Sequence, residues 1–163
     1  MISLLFSCAG PLADQESLEL VAMLDNGTVL ETRYTMGNTG LVRGQGSFVF
    51  NHWLPGQTPL SHGYKATPSE TQITASEARI GFNTLSVAER SLRVQAEEFQ
   101  ARAVLSEGRK PEGLSMEDPG SGLMTRLVWA GAQLSGWCSM ERRSTPLLGQ
   151  ATILHRKQRL TES

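Results

Sequence analysis

Apolar residues recur at every second position along much of the chain. Between Ser17 and Leu24, the side chains of Leu18, Leu20, Ala22 and Leu24 fall on one face, and Glu19, Val21 and Met23 on the other. A period of two marks a β-strand with one side against a core. Thr28 to Thr35 follows across Asp25-Asn26-Gly27, and Asn-Gly readily takes the positive φ of a hairpin turn. Ser47 to Leu54 alternates again. Phe48, Phe50, His52 and Leu54 point one way, Ser47, Val49, Asn51 and Trp53 the other, until Pro55-Gly56 ends the run. Residues 56–71 include Gly56, Pro59, Gly63 and Pro68, and read as a long loop or linker. Thr71 to Phe82 resumes a strand pattern around Ile73, Ile80 and Phe82. Leu123 to Leu134, rich in β-branched, aromatic and small residues, is a further strand, and Ala151 to His155 a shorter one.

Ser86 to Gly108 supports two readings. Ser86 and Glu89 are spaced as a capping box, Glu98 and Arg102 stand four apart, and Gly108 suits a helix C-cap. Ala88, Leu92, Ala96, Phe99 and Ala103 would then line one helical face. The same segment also alternates through Leu92, Val94 and Ala96, then through Phe99, Ala101 and Ala103, as two strands joined at Glu97-Glu98. Local signals prefer one helix around 86–107; the family resemblance given below places a hairpin here, and on that ground strands are the expectation, with the helix as the alternative.

Composition sharpens this picture. Sixteen glycines, seven prolines and few long apolar runs favour many short strands. A length of 163 residues allows one domain over 1–163, burying about 70% of its unfolded surface. The fold class expected from composition is all-β; the family resemblance given below implies an antiparallel barrel, which with about eight to ten strands is just wide enough to enclose one small apolar ligand. A net charge of −1 gives no reason to expect nucleic acid as partner. Arg142, Arg143, Arg156, Lys157 and Arg159 read more simply as a solvated basic end than as an anion-binding surface. No segment is long enough to span a membrane. Met1 to Gly10 faintly resembles a lipoprotein signal ending at Cys8, but lacks a basic start and a long apolar run. A cytoplasmic protein is therefore expected, export being the alternative. In an exported chain Cys8 and Cys138 could pair. Neither has metal-ligand neighbours, so no metal and no cofactor is expected.

Chemistry-bearing residues are few. No nucleophile elbow or phosphate loop is present, and Glu97-Glu98 and Glu117-Asp118 fall in expected turns. His52 shares a strand face with Phe48 and Phe50, as a polar anchor among apolar walls or as a hydrogen-bonded strand-end histidine. Arg126 interrupts an apolar strand and must reach solvent, a carboxylate or an anionic ligand group. Met124 and Trp129 suit a cavity wall or an ordinary core. His155 and Gln158 are read as structural.

The stretch from Gly113 to Gln158 carries a less generic order: Asp118-Pro119, Gly122-x-Met124, Trp129 five residues on, Gly136, then Gly149 followed by His155 and Gln158. This order resembles the lipocalin-like fungal survival-factor proteins, which are similar in turn to carotenoid 1,2-hydratases and certain Diels–Alder cyclases. The family usually has His where this chain has Arg126, and Pro-Arg where it has Ala130-Gly131. The resemblance covers the family's first barrel only and implies a lipocalin-like, calycin-type domain. It also implies binding or carrying of a lipid- or isoprenoid-like ligand, survival-factor proteins being associated with ceramide transport. The ligand-facing set expected is Phe48, Phe50, His52, Met124, Arg126 and Trp129. Two alternatives stand beside this: a cyclase- or hydratase-type enzyme on a polyene or polyketide, and a non-catalytic interaction domain with a filled barrel. Hydration is disfavoured because no clear carboxylate lies within an apolar stretch. The family has a further strand after the His-x-x-Gln segment, so an open barrel edge is expected here, which a homodimer would cover.

Overall fold

The structure is a computed structural model that describes residues 15–37, 44–106, 115–118, 123–140 and 142–158. Among these, twelve strands follow the chain as β1 (Gln15–Leu24), β2 (Val29–Gly37), β3 (Gln45–Trp53), β4 (Leu60–Ala66), β5 (Thr71–Ile73), β6 (Glu77–Ile80), β7 (Asn83–Ala88), β8 (Ser91–Gln95), β9 (Phe99–Ser106), β10 (Ser115–Asp118), β11 (Leu123–Met140) and β12 (Arg143–Gln158). They form one antiparallel sheet in the order β4-β3-β2-β1-β12-β11-β9-β8-β7-β6-β5, with β10 paired to β11 beside this path. The sheet curls into a nearly closed barrel, and β4 at one edge comes to lie against β6 near the other. The twelve strands exceed the expected eight to ten because β5, β6 and β10 are arms of only three or four residues.

Hairpin chemistry builds most of this order. Gly27 takes φ 85° in the turn after β1, Asn26 Oδ1 accepts from the Thr28 amide, and Met23 pairs with Val29. The ambiguous 86–107 segment forms strands within its described residues, not a helix. Gln95 pairs with Gln100 across Glu97-Glu98, and the Ala96 amide bonds the Phe99 carbonyl at 2.8 Å. The helical face would have left Val94, Ala101 and Leu105 at the surface, whereas the strands bury all three at 3% exposure or less. Burial across a whole sheet overrides the local capping signals.

Two segments read as loops are strands. Within 56–71, β4 pairs with β3 along its length, and Pro68 to Glu70 form one 3-10 turn. As an edge strand it buries little beyond Ala66, so its hydrophobic pattern is faint. Glu117 and Asp118 belong to β10, where they pair with Met124 and Leu123.

The core lies inside the barrel. Leu18, Leu20 and Ala22 of β1 face inward beside Ile153 and Ala151 of β12 and Leu30 and Tyr34 of β2. Glu19 sits on the opposite face of β1 yet is only 6% exposed. Arg156 on β12 donates to both its oxygens at 3.0 and 3.2 Å, Arg33 on β2 lies 3.5 Å away, and the Ser17 hydroxyl donates at 3.3 Å. The aliphatic stems of the two arginines can cover the carboxylate they neutralise. At one barrel end Glu16 Oε1 lies 2.7 Å from His155 Nε2.

Two glycines let the strands crowd. A Cβ on Gly136 of β11 would stand 2.0 Å from the Arg102 carbonyl oxygen and 2.5 Å from the Ala103 Cα on β9. One on Gly149 of β12 would stand 2.1 Å from the Met23 carbonyl oxygen on β1. Among the described residues no helix is long and apolar enough to cross a membrane.

Candidate functional site

The barrel's weak point is the seam between β4 and the β6–β7 corner. The ladder passes from β4 to β3 on one side and from β6 to β5 and β7 on the other. Side chains bridge the gap. The Tyr64 ring of β4 meets the Phe82 ring of the β6–β7 turn with centroids 5.2 Å apart, tilted by 58°. Phe82 is half-exposed there, at 52%. Beside this pair opens a cleft of about 300 Å³ with His62, Tyr64, Phe82, Glu97 and Glu98 at its rim. Its lining includes Phe48 and Asn83, both buried at 4% exposure or less.

Inside lies a file of parallel rings. Phe50 stacks on Phe99 at 4.8 Å and 9°, and on His52 at 5.4 Å and 9°. His62 follows at 6.2 Å from Phe50 and 6.4 Å from His52. Phe48 packs against Tyr34 at 4.9 Å, tilted by 49°. Alternation on β3 produces this set, since Phe48, Phe50 and His52 share the inward face and β4 brings His62 opposite Phe50.

The residues singled out from sequence are placed as follows. Phe48, Phe50 and His52 come together in the interior. Trp129 is also buried, at 5%, opposite Ile153 of β12. Met124 (45% exposed) and Arg126 (exposed) stand near the start of β11, opposite Lys157 and His155. Cys138 is a buried free thiol 3.2 Å from the Thr145 hydroxyl. Cys8 and the signal-like start lie outside the described residues, as does the turn segment 119–122. Among the described residues no cluster of three His, Cys, Asp or Glu side chains could hold a metal ion.

Sequence reasoning missed two interior hydroxyls. Leu30, Thr32 and Tyr34 share the inward face of β2, with Thr32 1% exposed and Tyr34 fully buried. Among the described residues neither the Thr32 Oγ1 nor the Tyr34 hydroxyl has a hydrogen-bond partner. Leaving a buried polar group unpaired costs about 1–3 kcal/mol. The signal was available: Thr and Tyr fall in phase with Leu30 in an alternating strand, where an apolar residue would otherwise stand. The other missed positions are His62, Tyr64 and Phe82, which belong to the faintly patterned edge and its neighbouring turn.

Burial alone pushes the Tyr34 phenol well above the ordinary tyrosine range, so the group is neutral. Its protonated form is favoured in the folded state. The stability linked to it is therefore complete below the unfolded value of about 10 and declines as pH rises beyond it. Urea unfolding of the wild type should weaken above about pH 10, and less steeply in Tyr34→Phe. Equal alkaline slopes in the two proteins would refute this.

No protein-family model matches the chain, and no curated protein matches it. Among solved structures the chain is similar to the crystal structure of a candidate AttH protein from Nitrosomonas europaea, at 12% identity and a TM-score of 0.63. The likeness covers 93% of this chain but 52% of that one, so the chain spans about half the length of its structural neighbour. At this identity the two share a fold, the lipocalin-like antiparallel barrel.

Proposed function

We propose that the protein binds a small hydrophobic molecule inside its barrel, admitted through the seam between β4 and the β6–β7 corner. The observation that carries this reading is the cleft lined by Tyr64 and Phe82 at the seam together with buried Phe48, which shares the inward face of β3 with Phe50 and His52 of the ring stack. Aromatic walls with a few convergent polar groups are the ordinary composition of a ligand site. Phe48, Phe50, His52 and Trp129 would contact the ligand, while Met124 and Arg126 would act at the barrel end. The resemblance of Gly113–Gln158 to lipid-carrying barrels supports the same class of ligand.

The energetics suit a carrier. Removing about 200 Å² of apolar ligand surface from water is worth about 5 kcal/mol at 25 cal/mol per Å². The Tyr64–Phe82 contact opposing entry is worth only about 0.5–1.5 kcal/mol beyond its area burial. Opening the seam sacrifices no backbone ladder between β4 and β6.

Native mass spectrometry of protein purified from cells tests the reading directly. A fraction of the barrel should carry an apolar adduct that mild organic extraction removes, and extracted protein should rebind medium-chain alcohols or acids saturably. A bare mass together with no saturable binding of any such compound would defeat it.

A further inference from the structure

We propose that the Thr32 and Tyr34 hydroxyls receive an uncharged hydrogen-bonding group, a hydroxyl or a carbonyl, at the end of the apolar ligand. This rests on the carrier reading above and assigns the chemistry of its polar end. Thr32 lies between Leu20 of β1 and Phe50 of β3, and Tyr34 between Leu18 and Phe48. Every one of these neighbours is buried. The two hydroxyls are thus set among apolar and aromatic side chains, two residues apart on one strand, and neither has a partner among the described residues. Nearly all buried polar groups in native proteins are bonded to protein or water. Two adjacent exceptions on one inward face mark a place where something else supplies the partner.

The surrounding charges choose the partner's class. Among the described residues the buried side chains include no Lys or Arg. Glu19 faces away from the interior and is engaged by Arg33 and Arg156, and Glu16 is engaged by His155 at the barrel end. A carboxylate or phosphate beside Tyr34 would be desolvated without a fixed counter-charge, which is far more costly than burying a neutral group. His52, stacked on Phe50, could supply a positive charge only by taking up a proton. A hydroxyl can both donate and accept, so Thr32 and Tyr34 suit an alcohol or a ketone equally.

Isothermal titration with 1-decanol and decanoate at pH 7.5 tests the assignment on extracted full-length protein, with Tyr34→Phe and Thr32→Val as near-isosteric variants. Decanol is expected to bind at least tenfold tighter than decanoate. Each variant should weaken decanol about three- to tenfold while its thermal midpoint stays at or above that of the wild type. Decanoate binding as tightly as decanol, or gaining affinity as pH falls through the histidine range, would overturn the neutral-group assignment and leave the carrier reading standing. Unchanged decanol affinity in both variants with a lower midpoint would overturn it in favour of a structural water between the hydroxyls. Failure of both probes to bind the wild type would overturn the assignment together with the carrier reading.

Discussion

Gly136→Ala is expected to destabilise the protein by about 3 kcal/mol, the upper part of the range for forcing atoms into an already packed place. The added methyl would stand 2.0 Å from the Arg102 carbonyl oxygen and 2.5 Å from the Ala103 Cα. Both are backbone atoms of β9, so no side chain can rotate away to make room. Relief requires β9 and β11 to part where Gly136 pairs with Ala103, which strains the ladder on both sides. Gly63→Ala on β4 is the control. Its Cβ would have one neighbour, the Phe48 carbonyl oxygen at an ordinary 3.7 Å, and its cost should lie within about 0.5 kcal/mol. Urea midpoints for the two variants decide the matter. A Gly136→Ala midpoint equal to that of Gly63→Ala would show that β9 and β11 are not held in close approach.

Phe50→Ala should cost about 3–5 kcal/mol, the usual range for truncating a buried aromatic residue. For a domain of this size that corresponds to a melting temperature lower by roughly 10 °C. Phe50 is 1% exposed and is the ring on which Phe99 and His52 both stack. Its removal leaves two rings without a face and opens space in the core. Phe50→Leu keeps most of the volume and should cost under about 1.5 kcal/mol. The double variant with Phe99→Ala should cost less than the sum of the singles by about 1 kcal/mol, because the shared contact is lost once. Full additivity would mean that the 4.8 Å stack contributes nothing of its own.

These two positions show what the sequence could and could not convey. The alternation of Phe48, Phe50 and His52 was sufficient to place all three indoors, because a period of two fixes which residues share a face. The Glu97-Glu98 hairpin shows in the same alternation, but the capping signals pointed to a helix and the family resemblance decided for strands. Ring stacking was not legible, since it depends on β9 coming opposite β3 across the barrel, a relation between residues some fifty positions apart. Gly136 and Gly149 stood out only by their place in the Gly113–Gln158 order. Their role is the close approach of backbones, which appears only when the neighbouring strands are known. The edge strand β4 was invisible because half of its surroundings are solvent, and with it went His62 and Tyr64. Arg126 drew notice as a charge inside an apolar run, and it stands at the exposed part of β11, where a guanidinium needs no buried partner.

The pairing of β1 with β12 joins Gln15 to Gln158, the first and last described residues, and this orders events in time. Roughly 120 residues separate the end of β1 from the start of β12, about ten seconds of synthesis at 5–20 residues per second. Throughout that interval β1 can close its hairpin with β2 while its other edge stays bare. Arg156 has yet to arrive, so Glu19 holds only its neighbours on β1 and β2. Folding dominated by such distant pairings falls in the millisecond-to-second range once the chain is complete. The carboxylate at Glu19, dispensable to the interior, is a charge on that waiting edge, a feature that discourages another strand from pairing there first.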